Sequence, residues 1–153
     1  MSSPVRDTIE REITVRAPKE RVFAAMIDPA QIVKWFPDAV EGTLDEGETP
    51  IFDFGKYGRY RIFIVANRPH DYFAYKWTPG SYYVPDGFLG DVLTVPHTLV
   101  EFFLIDCPEG TVVKLKESGF TSLPPEQIEV SLKDNSEGWD YMMESLAKFL
   151  AEA

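Results

Sequence analysis

The sequence predicts an α+β domain in which helices pack on one face of a curved antiparallel sheet. Three observations lead there. An alternating segment near the N-terminus is followed by two short helical segments. Strand-and-turn patterns then run to about residue 120. The chain closes on "EGWDYMMESLAKFL", an apolar stripe at helical spacing.

"TIEREITVRAP" sets Ile9, Arg11, Ile13 and Val15 against charged neighbours, a period of two that predicts a first strand with one wet face. In "PKERVFAAMID", Pro18 suits a first helical position, and Val22, Phe23 and Met26 fall at helical spacing. Asp28 is then expected to cap a second short helix, "DPAQIVKWFPD", which Trp35 ends before Pro37. "AVEGTLDEG" predicts a weak strand and turn. "TPIFDFGKYGRYRIFIVANRPHDYFAYKWTPG" predicts a hairpin about "GKYG" and a second turn at "NRPHD", between strands rich in the residues that pleated, half-buried surfaces prefer. "HTLVEFFLIDCPEGTVVKLKESGF" predicts two more strands joined by "CPEG". In the second of these, Val113, Leu115 and Glu117 share one face, and Lys114 and Lys116 the wet one. "PPEQIEVSLKDN" is ambiguous with a helical leaning. The final helix is expected to begin near Gly138, turning Trp139, Met143, Leu146 and Leu150 inward with Met142 and Phe149 on the flanks. A glycine at that start predicts a close passage of the helix over a strand backbone.

With 153 residues, one domain is expected over 1–153, its core spanning about 8–150. Apolar residues make up 44% and charged residues 26%, which excludes a disordered chain. The formal net charge of −10 disfavours nucleic acid and anionic membrane surfaces as partners. The closing helix has acidic residues on its polar face, whereas membrane-surface helices are usually basic. One cysteine, Cys107, excludes an intramolecular disulfide. "MSSPVRDTIERE" lacks the apolar core of a signal peptide, and no apolar run reaches the length of a membrane span, so a cytoplasmic protein is expected.

Taken in order, "ITVRAPKERVFAAMIDPAQIVKWF", "GRYRIFIVANRPHDYFAYKW", "GTVVKLKESGF" and "EGWDYMMESLAKFL" resemble the AHSA1-like family (homologues of the activator of the 90-kDa heat-shock chaperone ATPase). That family is part of the START/birch-pollen-allergen-like, or SRPBCC, superfamily. The resemblance covers roughly residues 8–150 and is most specific at Ala17-Pro18, Trp35, Trp77, Gly110-Thr111, Ser118-Gly119-Phe120 and Gly138-Trp139. It implies a helix-grip fold: a highly curved antiparallel sheet wrapped around the long C-terminal helix, two short helices closing one end, and an elongated apolar cavity between sheet and helix. Members of the superfamily bind lipids, hormones or polyketides there, and some catalyse cyclisation or hydrolysis. Two features depart from the family's pattern. "GSYYVPDGFLGDVLTVPH" is longer than the usual connection, and position 117, often His in relatives, is Glu. Histidine chemistry therefore does not carry over.

Chemistry-bearing residues are sparse. His70, His97 and Cys107 lie in no metal-binding motif, so neither metal nor cofactor is expected. Ser118-Gly119 is no nucleophile elbow, and "FGKYG" is a turn rather than a phosphate loop. Glu117, on an inward face, is the one weak catalytic candidate, since burial raises a carboxyl pKa. Its bland alternative is an edge position paired with Arg or Lys. Aromatic residues that suit a small-molecule pocket complete the expected cavity lining: Trp35, Phe54, Tyr60, Tyr75, Trp77, Phe102, Leu115, Glu117, Trp139 and Met143. For "SYYVPDGFLGD" a lid, a homodimer contact and a long hairpin end stay open.

Three functions follow, in order. The first is a binding module for an apolar or amphipathic small molecule, favoured because no catalytic set is evident. The second is a cyclase, dehydratase or hydrolase with Glu117 as acid/base, helped by Asp86, Asp91 or His97 from the loop. The third is a regulator of the 90-kDa heat-shock chaperone's ATPase, which rests on the family name alone.

Overall fold

The computed structural model describes residues 7–80 and 86–151. Strand β1 (Thr8–Val15) leads into helices α1 (Lys19–Ile27) and α2 (Pro29–Ile32). Strands β2 (Ala39–Glu41), β3 (Ile51–Asp53), β4 (Arg59–Arg61), β5 (Phe63–Arg68), β6 (Tyr72–Trp77), β7 (Gly87–Phe88), β8 (Thr98–Cys107) and β9 (Gly110–Ser118) follow. Helix α3 (Pro125–Ala151) closes the chain. Five strands form an antiparallel sheet in the order β1-β9-β8-β6-β5, and four form a second in the order β2-β3-β4-β7.

The two sheets make one continuous wrap. β4 runs into β5 through Ile62, whose N–H donates to Pro50 O at 2.8 Å, and Ile64 N–H donates to Glu48 O at 3.0 Å. A register shift between Ile64 and Ala66 bends β5 against β6, as bulges do. The curved face grips α3, which gives the expected helix-grip fold.

Local chemistry explains the helix starts. Asp28 accepts from Ala30 N–H at 3.0 Å and caps α2, with Pro29 at its first position. Pro18 stands one place earlier than expected, at the cap of α1, where its carbonyl accepts from Arg21 and Val22. α1 buries Val22, Phe23, Ala25 and Met26.

Three sequence expectations need correction. Trp35 lies beyond α2, in the turn that follows Ile32. β7 pairs with β4 in parallel, not antiparallel, with Arg59 opposite Gly87. Gly87 has φ +85°, and a Cβ there would stand 2.0 Å from Arg59 O, so the approach admits only glycine. The third concerns α3. It spans 27 residues and starts at Pro125, which puts Gly138 near its middle.

Candidate ligand-binding cavity

Side-chain alternation on β9 turns Thr111, Val113, Leu115 and Glu117 inward, all fully or nearly fully buried. Glu117 sits in the sheet interior, opposite Ile9 on β1 and Val100 on β8. An edge position and an Arg or Lys partner are both overturned: its carboxylate is held by neutral donors. Oε1 accepts from Trp139 Nε1 at 2.8 Å and Asn135 Nδ2 at 3.0 Å. Oε2 accepts from Thr98 Oγ1 at 2.6 Å, Trp77 Nε1 at 2.9 Å and Asn135 Nδ2 at 3.1 Å. Burial pushes its pKa up, and these hydrogen bonds only partly oppose that.

The two indoles held by Glu117 form one wall of a cavity of about 800 Å³. Their ring centroids lie 5.8 Å apart. Phe36 stands 5.4 Å from Trp139 and 5.8 Å from Trp77, and Phe54 joins at 5.4 Å from Phe36 and 6.1 Å from Trp77. Tyr60 faces Phe54 at 6.1 Å, and its hydroxyl lies 3.0 Å from Tyr57 O and 3.3 Å from Gly80 O. Burial raises the Tyr60 pKa to about 12. Thr78 is also among the lining residues; its hydroxyl is buried and has no hydrogen-bond partner among the described residues. From α3 come Asp134, Asn135, Glu137, Gly138, Trp139, Tyr141 and Met142. Exposed Tyr57 and Tyr141 mark the opening.

Of the ten residues expected to line a ligand cavity, the structure places Phe54, Tyr60, Trp77 and Trp139 in this wall. Trp35, Tyr75, Phe102, Leu115 and Met143 are packed into the core instead. Trp35 is anchored by Nε1 donating to Ala25 O at 2.7 Å and meets Phe102 edge-on. Tyr75 is enclosed by Phe52, Phe73 and Trp77. Glu117 has no exposed surface, and both oxygens are engaged, so it offers no atom to the cavity. Asp86, Asp91 and His97 are outside the wall as well, and Ser81–Pro85 of the long connection lie outside the described residues.

Gly138 is a further correction. A Cβ there would meet no heavy atom within 4 Å. Among the described residues no strand passes close; the missing side chain leaves open space in the cavity. The sequence reading also missed Phe36, Thr78 and Asn135. A helix continued back to Pro125 puts Asn135 one turn before Trp139 on the same face, and that was the available signal. Among the described residues no group of His, Cys, Asp or Glu is placed to hold a metal, and no helix is long and apolar enough to cross a membrane.

An inner wall of rings thus faces one side of α3. The family model for Activator of Hsp90 ATPase homolog 1-like proteins matches residues 16–151, and the chain belongs to that family. A comparison with proteins of curated function finds no match. Among solved structures, DynU16 of the dynemicin biosynthetic locus is similar at 23% identity and TM-score 0.75; 95% of this chain covers 48% of that one, about half its length. A Mesorhizobium loti protein is similar at 22% identity and TM-score 0.74, over 95% of this chain and 98% of that one. The Aha1 dimer from Colwellia psychrerythraea is similar at 16% identity and TM-score 0.71, over 94% and 95%. At such identities the likeness establishes the shared fold.

Proposed function

We propose that this chain is a small cytoplasmic binding protein that holds one apolar or amphipathic small molecule in the cavity beside Trp77 and Trp139. The observation that carries this reading is the cavity itself. At about 800 Å³ it has the size of a small-molecule site, and rings dominate its inner wall. Phe54, Tyr60, Trp77 and Trp139 touch the ligand. Glu117 acts through the indoles, fixing their orientation from behind. Trp35, Tyr75, Phe102, Leu115 and Met143 support that wall.

The acid/base reading of Glu117 gains nothing from its placement, because a reacting atom must come within hydrogen-bond reach of a free oxygen. Regulation of a chaperone ATPase rests on the family's name alone, and function is argued from sites.

Native mass spectrometry of gently purified protein tests the proposal. The expected spectrum shows one small molecule per chain, lost on denaturation, and less abundant in a Met142→Trp variant whose larger ring narrows the cavity. Protein that carries no molecule and takes up no neutral apolar dye contradicts it.

A further inference from the structure

Glu117 joins the packed core to the cavity wall, and it does so without a counter-ion. Among the described residues it makes no ion pair. Its partners are neutral donors: Trp77, Trp139, Asn135 and Thr98. Of these donor atoms only Thr98 Oγ1 can also accept, because indole and amide N–H groups only donate.

The two carboxylate oxygens are therefore not equivalent. A buried carboxyl that takes up a proton needs an acceptor for it, and Thr98 Oγ1 lies 2.6 Å from Oε2. The proton goes to Oε2, and the Thr98 bond reverses, with Oε2–H donating to Oγ1. Oε2 is then a hydroxyl oxygen, a poorer acceptor than a carboxylate. Trp77 Nε1 bonds Oε2 alone, so its bond weakens. Trp139 bonds Oε1, which stays a carbonyl, and Asn135 reaches both oxygens and keeps Oε1. Trp77 is also the indole with room to respond. It ends β6 and is partly exposed, whereas Trp139 lies within α3 and is 2% exposed.

Few titratable groups surround this carboxyl. β1 and β8 set Ile9 and Val100 opposite it. From β6, the Tyr75 phenol is held well above its ordinary pKa by burial and by the Glu117 charge. On α3, Asp134 and Asp140 adjoin Asn135 and Trp139 but are exposed. His97, next to Thr98, has Nδ1 2.8 Å from Val95 O.

We infer that the cavity is proton-gated through Trp77: ionised Glu117 pins this indole in the wall, and a proton on Oε2 releases it and weakens the hold on an apolar ligand. The inference rests on the binding function proposed above and adds its regulation.

The test follows the indole N–H resonances of Trp35, Trp77 and Trp139 by NMR from pH 4.5 to 9, beside titrations with the neutral dye Nile red over the same range. Burial raises the Glu117 pKa, so the transition is expected above pH 4.5. On acidification the Trp77 resonance is expected to shift furthest, Trp139 less, and Trp35, bonded to Ala25 O, not at all. Nile red affinity is expected to fall about fivefold or more through the same midpoint. Glu117→Gln is expected to abolish both changes; the wild-type spectra decide even where that variant does not fold. No titrating indole, or Trp139 shifting as far as Trp77, overturns the inference. So does dye affinity that stays constant through the transition, or a transition that persists in Glu117→Gln; dye binding in either case leaves the cavity reading standing. If the dye binds at no pH, both readings fall.

Discussion

Behind Trp77 and Trp139 the space between sheet and helix is solid; in front of them it is open. The sheet does not make this difference, because aromatic residues point inward on both sides of the indoles. The helix does. Toward its C-terminus α3 presents Met143, Leu146 and Leu150, all buried, and these close the core with Trp35, Phe102 and Leu115. One and two turns earlier it presents Gly138 and Asn135, which are too small or too committed to fill the same gap. The cavity is therefore a property of side-chain size along a single helix. Glu117 marks the boundary, since its oxygens hold both indoles at the edge of the packed half.

The largest break in this contrast comes from removing the boundary. Trp139→Ala deletes a side chain 2% exposed that meets Phe36, Trp77 and Phe102, and it is expected to cost about 3–5 kcal/mol in chemical denaturation. Tyr141→Ala, at the mouth and 69% exposed, is expected to stay within about 0.5 kcal/mol. Equal losses at the two positions would erase the distinction between filled and open halves.

Glu117→Gln is the next largest. Its side chain offers one acceptor oxygen where two indoles each need one, so a loss of about 1–3 kcal/mol is expected. That loss depends on pH with a definite sign. Burial holds the folded-state pKa of Glu117 above the ordinary value of 4.5. As pH rises from 4.5 through that raised pKa, the native protein retains a proton that the unfolded chain has released, and wild-type stability falls. Glutamine does not titrate. The wild type's advantage over Glu117→Gln is therefore expected to narrow as pH rises through that window, in denaturation curves taken from pH 4 to 8. An advantage that widens instead means that the four donors outweigh burial.

The smallest effect sharpens the comparison. Gly138→Ala adds a methyl group with nothing within 4 Å to meet and removes a mid-helix glycine, so stability is expected to rise by up to about 1 kcal/mol. A lower melting temperature would restore the close strand contact that the geometry denies.

Much of the filled half was legible in the sequence. The period of two in "TVVKLKES" turned Glu117 inward beside Val113 and Leu115, and the spacing of Trp139, Met143, Leu146 and Leu150 gave the buried stripe of α3. The open half was not. In "PPEQIEVSLKDN" only Ser131 and Leu132 are buried, so charged neighbours dilute the stripe and hide the first turns of the helix. Without those turns Asn135 has no place on the inner face. The partners of Glu117 come from β6, β8 and α3, a convergence that depends on register and sheet curvature rather than on local pattern. β7 is two residues long, too short for any period to show.

One variant separates space from stability most directly. Gly138→Leu puts a branched side chain into the open half and nothing into the packed one. Thermal unfolding and titration with Nile red, a neutral dye, are measured on the same samples of wild-type and variant protein. The account predicts a melting temperature at or above that of the wild type, with dye binding weakened. A fully stable Gly138→Leu protein that still binds the dye as the wild type does would contradict it.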